Sequence, residues 1–335
     1  MLRVFSGFAV ALGLMIGSAA GAAEIEDYAG AWALTLPGGG VGWLGIDQED
    51  GYYDGSIMWV GGSVVPLASV YMHDDTLVFT RLREVERKEG DEVVRTQTFT
   101  DWYVCTVDGD AMTIVEHKAR NNGRGVVTRE FMGTKNPPLP PAPDLSDVTF
   151  GEPIELFNGE DLTGWKLTNP NATNGWSAVE GVLVNNPVQK DGEPSVHYGN
   201  LRTVDEFEDF NLRMDVKVPE DGNSGVYLRG IYEVQVLDSY GEPADSHHMG
   251  AVYSRITPST TAEKPAGEWQ TLDITLVDRH ITVKLNGSTI IDNAPLEGIT
   301  GGALTADEFS PGPIYLQGDH TGVSYKNIVL RPVVE

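Results

Sequence analysis

The 335-residue chain carries 49 Asp and Glu against 23 Lys and Arg, a formal net charge of −26, and a single cysteine. Such an acidic surface repels nucleic acid phosphates and anionic lipid, so no nucleic acid partner is expected and a neutral or cationic ligand is. One cysteine closes no internal disulfide, and stability must rest on ordinary apolar cores.

Arg3 precedes an apolar run from Val4 to Ile16, and small residues follow, ending in Ala20-Gly21-Ala22. A charged, an apolar and a small-residue segment in that order read as a cleaved signal peptide over residues 1–22. The run falls short of the ~20 apolar residues that span a bilayer, and no cysteine near the cut could take a lipid. A periplasmic or secreted protein without a membrane span is expected. Its mature charge is −27, because cleavage removes Arg3 and no acid.

Residues 23–135 show short alternating strands broken by Gly and Asp turns. Leu44 and Ile46 alternate with polar or small residues, as do Ile57 and Trp59, and Leu77 and Phe79. Tyr103, Cys105 and Val107 run into Asp108-Gly109 and return through Met112 and Ile114, a hairpin pattern. No stretch sustains a helical period, so a small antiparallel β-barrel is expected, with an opening around Gly30-Ala31-Trp32 that resembles lipocalins. Such a barrel either holds a ligand or is a filled packing module, and the second is favoured. Cys105, between Val104 and Thr106, reads as a buried, inert thiol.

Residues 136–147 open with NPPLPPAPD, five prolines in nine residues. That composition forms neither helix nor central strand and reads as a stiff linker. Beyond it, residues 148–335 return to strand periodicity. Phe210, Leu212, Met214, Val216 and Val218 alternate with polar residues, as do Leu272, Ile274 and Leu276. Ile281, Val283 and Leu285 end at an Asn286-Gly287 turn. About 185 residues of antiparallel strand suit a jelly-roll sandwich of two sheets.

Catalytic signatures are few. No G-x-S-x-G, H-E-x-x-H or Cys-based metal motif occurs, and Gly38-Gly39-Gly40 reads as a turn. No cofactor is required, and the sequence is silent on a divalent cation and on oligomeric state. His247-His248, with Asp245 nearby, offers metal ligands or a loop facing substrate. Adjacent side chains on extended chain point apart, which favours the loop and makes His248 a candidate contact.

The residues Asn223 to Asp238, NSGVYLRGIYEVQVLD, are more telling. If Val234 and Val236 enter a core, Glu233 and Gln235 point together at the other face. Tyr227 and Arg229 join them if Leu228 goes inward. Ile314-Tyr315-Leu316-Gln317 repeats the logic, placing Tyr315 and Gln317 on that face ahead of Asp319 and His320. Aromatic rings with amides, an arginine and carboxylates suit a polyhydroxylated ligand, and Glu233 and Asp238 supply two carboxyls for acid–base work. Asp238 is out of phase with Gln235, so it reaches the pocket only if the strand ends or bulges there. A solvated polar sheet face is the alternative.

Several separate blocks then match one family in order: ELFNGEDLTGWK (155–166), the run from 208 to 238, GAVYSRITPS (250–259), residues 263–287 and PGPIYLQGDHTGVSYKNIVLRP (311–332). Residues 150–335 thereby resemble the 3-keto-disaccharide hydrolase domain family. The resemblance leaves out residues 23–135 and implies a concanavalin- or laminin-G-like jelly roll. It also implies an enzyme cleaving 3-keto-glycosides by C2 proton abstraction, elimination and hydration. By similarity, Glu233 and Asp238 become candidates for general base or acid, and Arg229 and Gln235 for steadying the enolate oxygen or ring hydroxyls. Gln317, Asp319, His320, Tyr253 and Lys264 would complete the pocket. Gln270 stands where the family is expected to prefer Asn, away from these roles. A non-catalytic carbohydrate-binding protein is the rival reading, and a functional barrel with the jelly roll as anchor is a third.

Overall fold

Two all-β units, one closed and one layered, are joined by the proline-rich segment. The computed structural model describes residues 23–49, 51–59, 61–190 and 193–334. The expected signal peptide, residues 1–22, lies outside the described residues.

The first unit is a meander of β1 (Gly30–Thr35), β2 (Val41–Glu49), β3 (Tyr52–Trp59), β4 (Val65–Pro66), β5 (Ser69–His73), β6 (Thr76–Glu89), β7 (Glu92–Asp108), β8 (Ala111–Ala119) and β9 (Val126–Lys135). Neighbours pair antiparallel, and β9 returns to β1. β4 lies on β3 and β5 on β6. Between them the amide of Leu67 donates to Gly55 O and that of Ala68 to Thr80 O, both at 2.8 Å. One bent segment therefore satisfies both edges and closes a barrel, which removes the open strand edges that invite aggregation.

The barrel is filled. Trp32, Leu34, Leu44, Ile46, Ile57, Phe79, Tyr103 and Ile114 bury their side chains inside it. The short helix α1 (Ile25–Tyr28) adds Tyr28, whose hydroxyl donates to Cys105 O at 3.1 Å. Cys105 lies in this core and burial pushes its thiol far up, so it is inert. β6 and β7 extend past the barrel, and their distal halves stand largely exposed as a two-stranded arm.

The second unit contains β10 (Thr149–Phe150), β11 (Ile154–Glu155), β12 (Trp165–Leu167), β13 (Trp176–Val179), β14 (Val182–Asn185), β15 (Leu201–Thr203), β16 (Phe210–Lys217), β17 (Asn223–Leu228), β18 (Tyr232–Leu237), β19 (Trp269–Val277), β20 (His280–Leu285), β21 (Ser288–Pro295), β22 (Tyr315–Leu316) and β23 (Val323–Val334). A large sheet runs β13-β14-β23-β16-β19-β20-β21, with β10 and β11 also on β23; a five-stranded sheet runs β12-β15-β22-β17-β18. The predicted alternation in β16, β19 and β20 supplies one wall of the core, and Leu201, Val226, Leu228, Val234, Val236 and Leu316 supply the other. Asn286 and Gly287 take φ of 52° and 86°, the paired left-handed values of a two-residue hairpin turn.

The units are not independent beads. Alternation in β2 sends Leu44 and Ile46 into the barrel and Trp43 outward, where Ala31, Trp43 and Met58 join the sandwich core. The guanidinium of Arg255 stacks over the Trp43 ring at 4.5 Å. The proline-rich segment is laid against the sandwich, with Asn136 Nδ2 donating to Glu308 at 2.6 Å and Asn293 Nδ2 to Pro143 O at 2.9 Å. Among the described residues, no helix is long and apolar enough to cross a membrane.

Candidate active site

The outer face of the five-stranded sheet departs from the usual half-buried pattern. β17 and β18 are buried on both faces, including the polar Glu233 and Gln235. Their cover comes from three places. Residues 250–253 pair with the free edge of β18, through Gln235 N to Ala251 O at 2.9 Å and Tyr253 N to Glu233 O at 3.0 Å. The 299–304 segment adds Thr300, whose hydroxyl accepts from Glu233 N at 2.9 Å. The barrel adds the 61–64 loop, with Val64 N donating to Ser254 Oγ at 2.8 Å and Ser63 Oγ 3.0 Å from His247 Nε2.

Under this cover lies a pocket of about 300 Å³. Period-2 geometry builds its floor, because the residues between the apolar ones share a face. Asn223 and Tyr227 come from β17, Glu233 and Gln235 from β18, and Tyr315 and Gln317 from β22 and its end. Tyr253, Asp319 and His320 line the walls, together with Asn200, Gly61, Gly301 and Gly302. Gly225 sits between Asn223 and Tyr227, and a Cβ there would collide with the Glu233 carboxyl. The missing side chain is what lets Glu233 lie across the strand.

Burial pushes Glu233 up to about 8, against the lowering pull of the Tyr227 hydroxyl and of His320. Tyr227 and Tyr315 stack at 4.1 Å, and the Tyr227 hydroxyl donates to Gly301 O at 2.8 Å. Tyr315 accepts from Asn200 Nδ2 at 2.7 Å and keeps its own O–H to offer. His320 Nδ1 lies 2.9 Å from Asp319 Oδ1; the pairing raises the imidazole and lowers the carboxyl. Gln317 Oε1 is buried without a protein partner, an acceptor that a ligand hydroxyl would satisfy.

Of the residues singled out from sequence, Glu233, Gln235, Tyr227, Tyr253, Tyr315, Gln317, Asp319 and His320 meet here, and four do not. Arg229 follows the last residue of β17 in a left-handed conformation, φ 53°, which takes it out of the alternation. Its guanidinium donates to Glu308 O at 2.8 Å and Ser310 O at 2.6 Å. Asp238 lies just past the end of β18, but its carboxylate turns to accept from Asp221 N at 3.1 Å. Lys264 Nζ donates to Trp269 O at 2.9 Å. His248 Nδ1 contacts Pro243 O at 2.8 Å, and its Nε2 lies 3.4 Å from Glu242. Among the described residues, no cluster of three His, Cys, Asp or Glu forms a metal site.

Sequence reasoning missed Asn200, Asn223 and the glycines. Counting back by twos from Tyr227 reaches Asn223, so that signal was present. Gly61 lies in a different unit, and nothing local announces it.

Residues 152–331 match the sequence profile of the 3-keto-alpha-glucoside-1,2-lyase-like domain family. A curated relative, a 3-keto-disaccharide hydrolase of Bacteroides thetaiotaomicron, is 24% identical over 166 residues, 42% of this chain. The chain spans 57% of that relative's length. Two Parabacteroides distasonis structures, both provisionally named glycosyl hydrolases, are also similar. The first is 29% identical, covering 59% of this chain and 93% of its own, with a TM-score of 0.45. The second is 23% identical, covering 54% and 94%, with a TM-score of 0.43. With more than half of its length matched, the chain belongs to the 3-keto-alpha-glucoside-1,2-lyase-like domain family.

Proposed function

We propose that this protein is an exported carbohydrate-active enzyme that cleaves 3-keto-glycosides, with Glu233 as the general base. The observation that carries this reading is a single carboxyl, buried among tyrosines and amides and pushed to about 8, beside an Asp319–His320 pair. A base works best when its affinity for a proton lies near the operating pH.

In this reading a C3 ketone acidifies the C2 hydrogen of the bound sugar. The Glu233 carboxylate takes that proton, and the C2–H electrons move to the C3 oxygen as an enolate. The Tyr315 hydroxyl, polarised by the bond it accepts from Asn200, donates to that oxygen. Collapse of the enolate forms the C1–C2 double bond and expels the C1 oxygen, which takes a proton from His320. Asp319 keeps the imidazole charged for that step. Water then adds at C1, giving a proton back to His320, and Glu233 returns its proton to C2, giving net hydrolysis; release before addition gives the elimination product. The free Gln317 Oε1 and the Gln235 amide hold ring hydroxyls, while the stacked tyrosines cover a C–H face.

The same reading treats residues 1–22 as a signal peptide and residues 23–135 and 148–335 as two domains joined by 136–147. Incubating the full chain with a panel of 3-keto-glycosides, with and without chelator, and reading products by mass tests it. Turnover that disappears in Glu233→Gln is expected. Binding of sugars without turnover of any oxidised substrate would leave a lectin instead.

A further inference from the structure

The catalytic pocket does not end at its glycine rim. A second cavity of about 190 Å³ adjoins it, and Gly61 and Gly302 line both. Its barrel side is the turn between β1 and β2, at Gly39, Gly40 and Val41, and its sandwich side adds Ala303 and Leu304. The two units approach closely here because glycines face each other. A Cβ on Gly301 would strike Gly62 O, across the boundary between the units. The approach is also held in place by the Ser63–His247 and Val64–Ser254 hydrogen bonds and by Arg255 on Trp43. Arg255 is itself fixed by Ile299 O at 2.7 Å and Glu297 O at 2.6 Å.

The two cavities differ in chemistry. The catalytic pocket presents amides, hydroxyls, a carboxyl and an ion pair. The adjoining groove presents no polar side chain, only glycine backbone and the aliphatic groups of Val41, Ala303 and Leu304. A polyhydroxylated ring placed there would give up hydrogen bonds to water with few replacements, whereas an apolar group would gain by burial. We infer that the barrel builds the leaving-group subsite of this enzyme, and that the subsite takes an uncharged apolar aglycone, aryl or alkyl, rather than a second sugar. This rests on the 3-keto-glycoside reading of the catalytic pocket. It gives the barrel a direct part in substrate choice while its own interior stays filled.

The test uses the full chain with methyl and phenyl 3-keto-α-glucosides as paired substrates. Leu304 is 38% exposed and lines this groove but not the catalytic pocket, so Leu304→Asp adds charge there without opening a core. Val41→Thr, nearly isosteric, adds an uncharged hydroxyl from the barrel side. Wild type is expected to prefer the phenyl substrate in kcat/KM. Leu304→Asp is expected to cut the phenyl value about tenfold and the methyl value by less than about twofold, with Val41→Thr smaller in the same direction. Equal losses on both substrates, or no wild-type preference, would overturn the subsite and leave the chemistry standing. If neither substrate turns over, the chemical reading fails. Calorimetry with unoxidised phenyl and methyl α-glucosides then still reads the groove, where tighter phenyl binding that Leu304→Asp abolishes supports it and equal affinities overturn it.

Discussion

Glu233 carries the sharpest prediction, because its proton affinity is set by burial and its proposed role requires it ionised. With the group pushed to about 8, about one molecule in ten carries the carboxylate at pH 7 and about one in a hundred at pH 6. kcat/KM should therefore fall tenfold per pH unit below about 8. Glu233→Gln should remove on the order of 10²–10⁴ of the rate. His320→Ala should move the acid limb upward, because the imidazolium pulls Glu233 down. Initial rates of alcohol release between about pH 5.5 and 9.5 read the limb. Carboxyl ¹³C resonances of the ligand-free protein read the titration directly, with Glu233→Gln as the assignment control. The stability sign follows from the same shift. A carboxyl whose folded pKa is raised contributes stability below its unfolded value near 4.5 and loses it as pH rises through about 8. Glu233→Gln should thus gain on wild type by a few kcal/mol at pH 9 relative to pH 5. An acid limb near 4.5, or a melting difference that grows in the opposite direction, would refute burial as the control of this residue.

Gly225→Ala places a methyl group where the Glu233 carboxyl lies; about 10²-fold loss of kcat/KM is expected, and full activity would show that the carboxyl need not lie across β17. Arg229→Met should cost about 1–3 kcal/mol in chemical denaturation, because it strips the buried Glu308 carbonyl and the part-buried Ser310 carbonyl of their donor; a tenfold fall in kcat/KM at unchanged stability would instead return Arg229 to the site. Asp238→Asn keeps an acceptor for Asp221 N, so turnover within about twofold of wild type is expected. A loss matching Glu233→Gln would make Asp238 a second catalytic carboxyl.

Where the strands are long and regular, period 2 read both the fold and the site. The alternation in β16, β19 and β20 gave one wall of the sandwich, and the same count put Tyr227, Glu233, Gln235, Tyr315 and Gln317 on one face. The count misled where strands end. Arg229 sits one step past Leu228, in a left-handed backbone that no longer alternates, and Asp238 lies past Leu237 with a nearer amide to accept from. Lys264 and His248 lie on loops, where period gives no direction and backbone carbonyls claimed both side chains. Gly61 was illegible for a different reason. Its contribution depends on how two units pack, and the face is marked in β2 and β3 by Val41, Trp43 and Met58, which pack on the sandwich core.

That packing bears on the chemistry as well as the architecture. A polar sheet face left in water would keep Glu233 near the ordinary carboxylate range, since desolvation is the main cause of its shift. The cover is composite: residues 250–253 and 299–304 come from the sandwich, and the 61–64 loop comes from the barrel. Each piece is tied to the next, from Thr300 to Glu233 N, from Tyr253 N to Glu233 O, and from Ser254 to Val64 N. The sandwich alone supplies the carboxyl, the dyad and the amides. The barrel supplies part of the roof that keeps water from them, so loosening its contact should lower the Glu233 pKa before it unfolds either core. The sandwich sheet provides the proposed reacting groups, and the barrel, its interior packed with apolar side chains, should help tune the one carboxyl on which the proposed reaction depends.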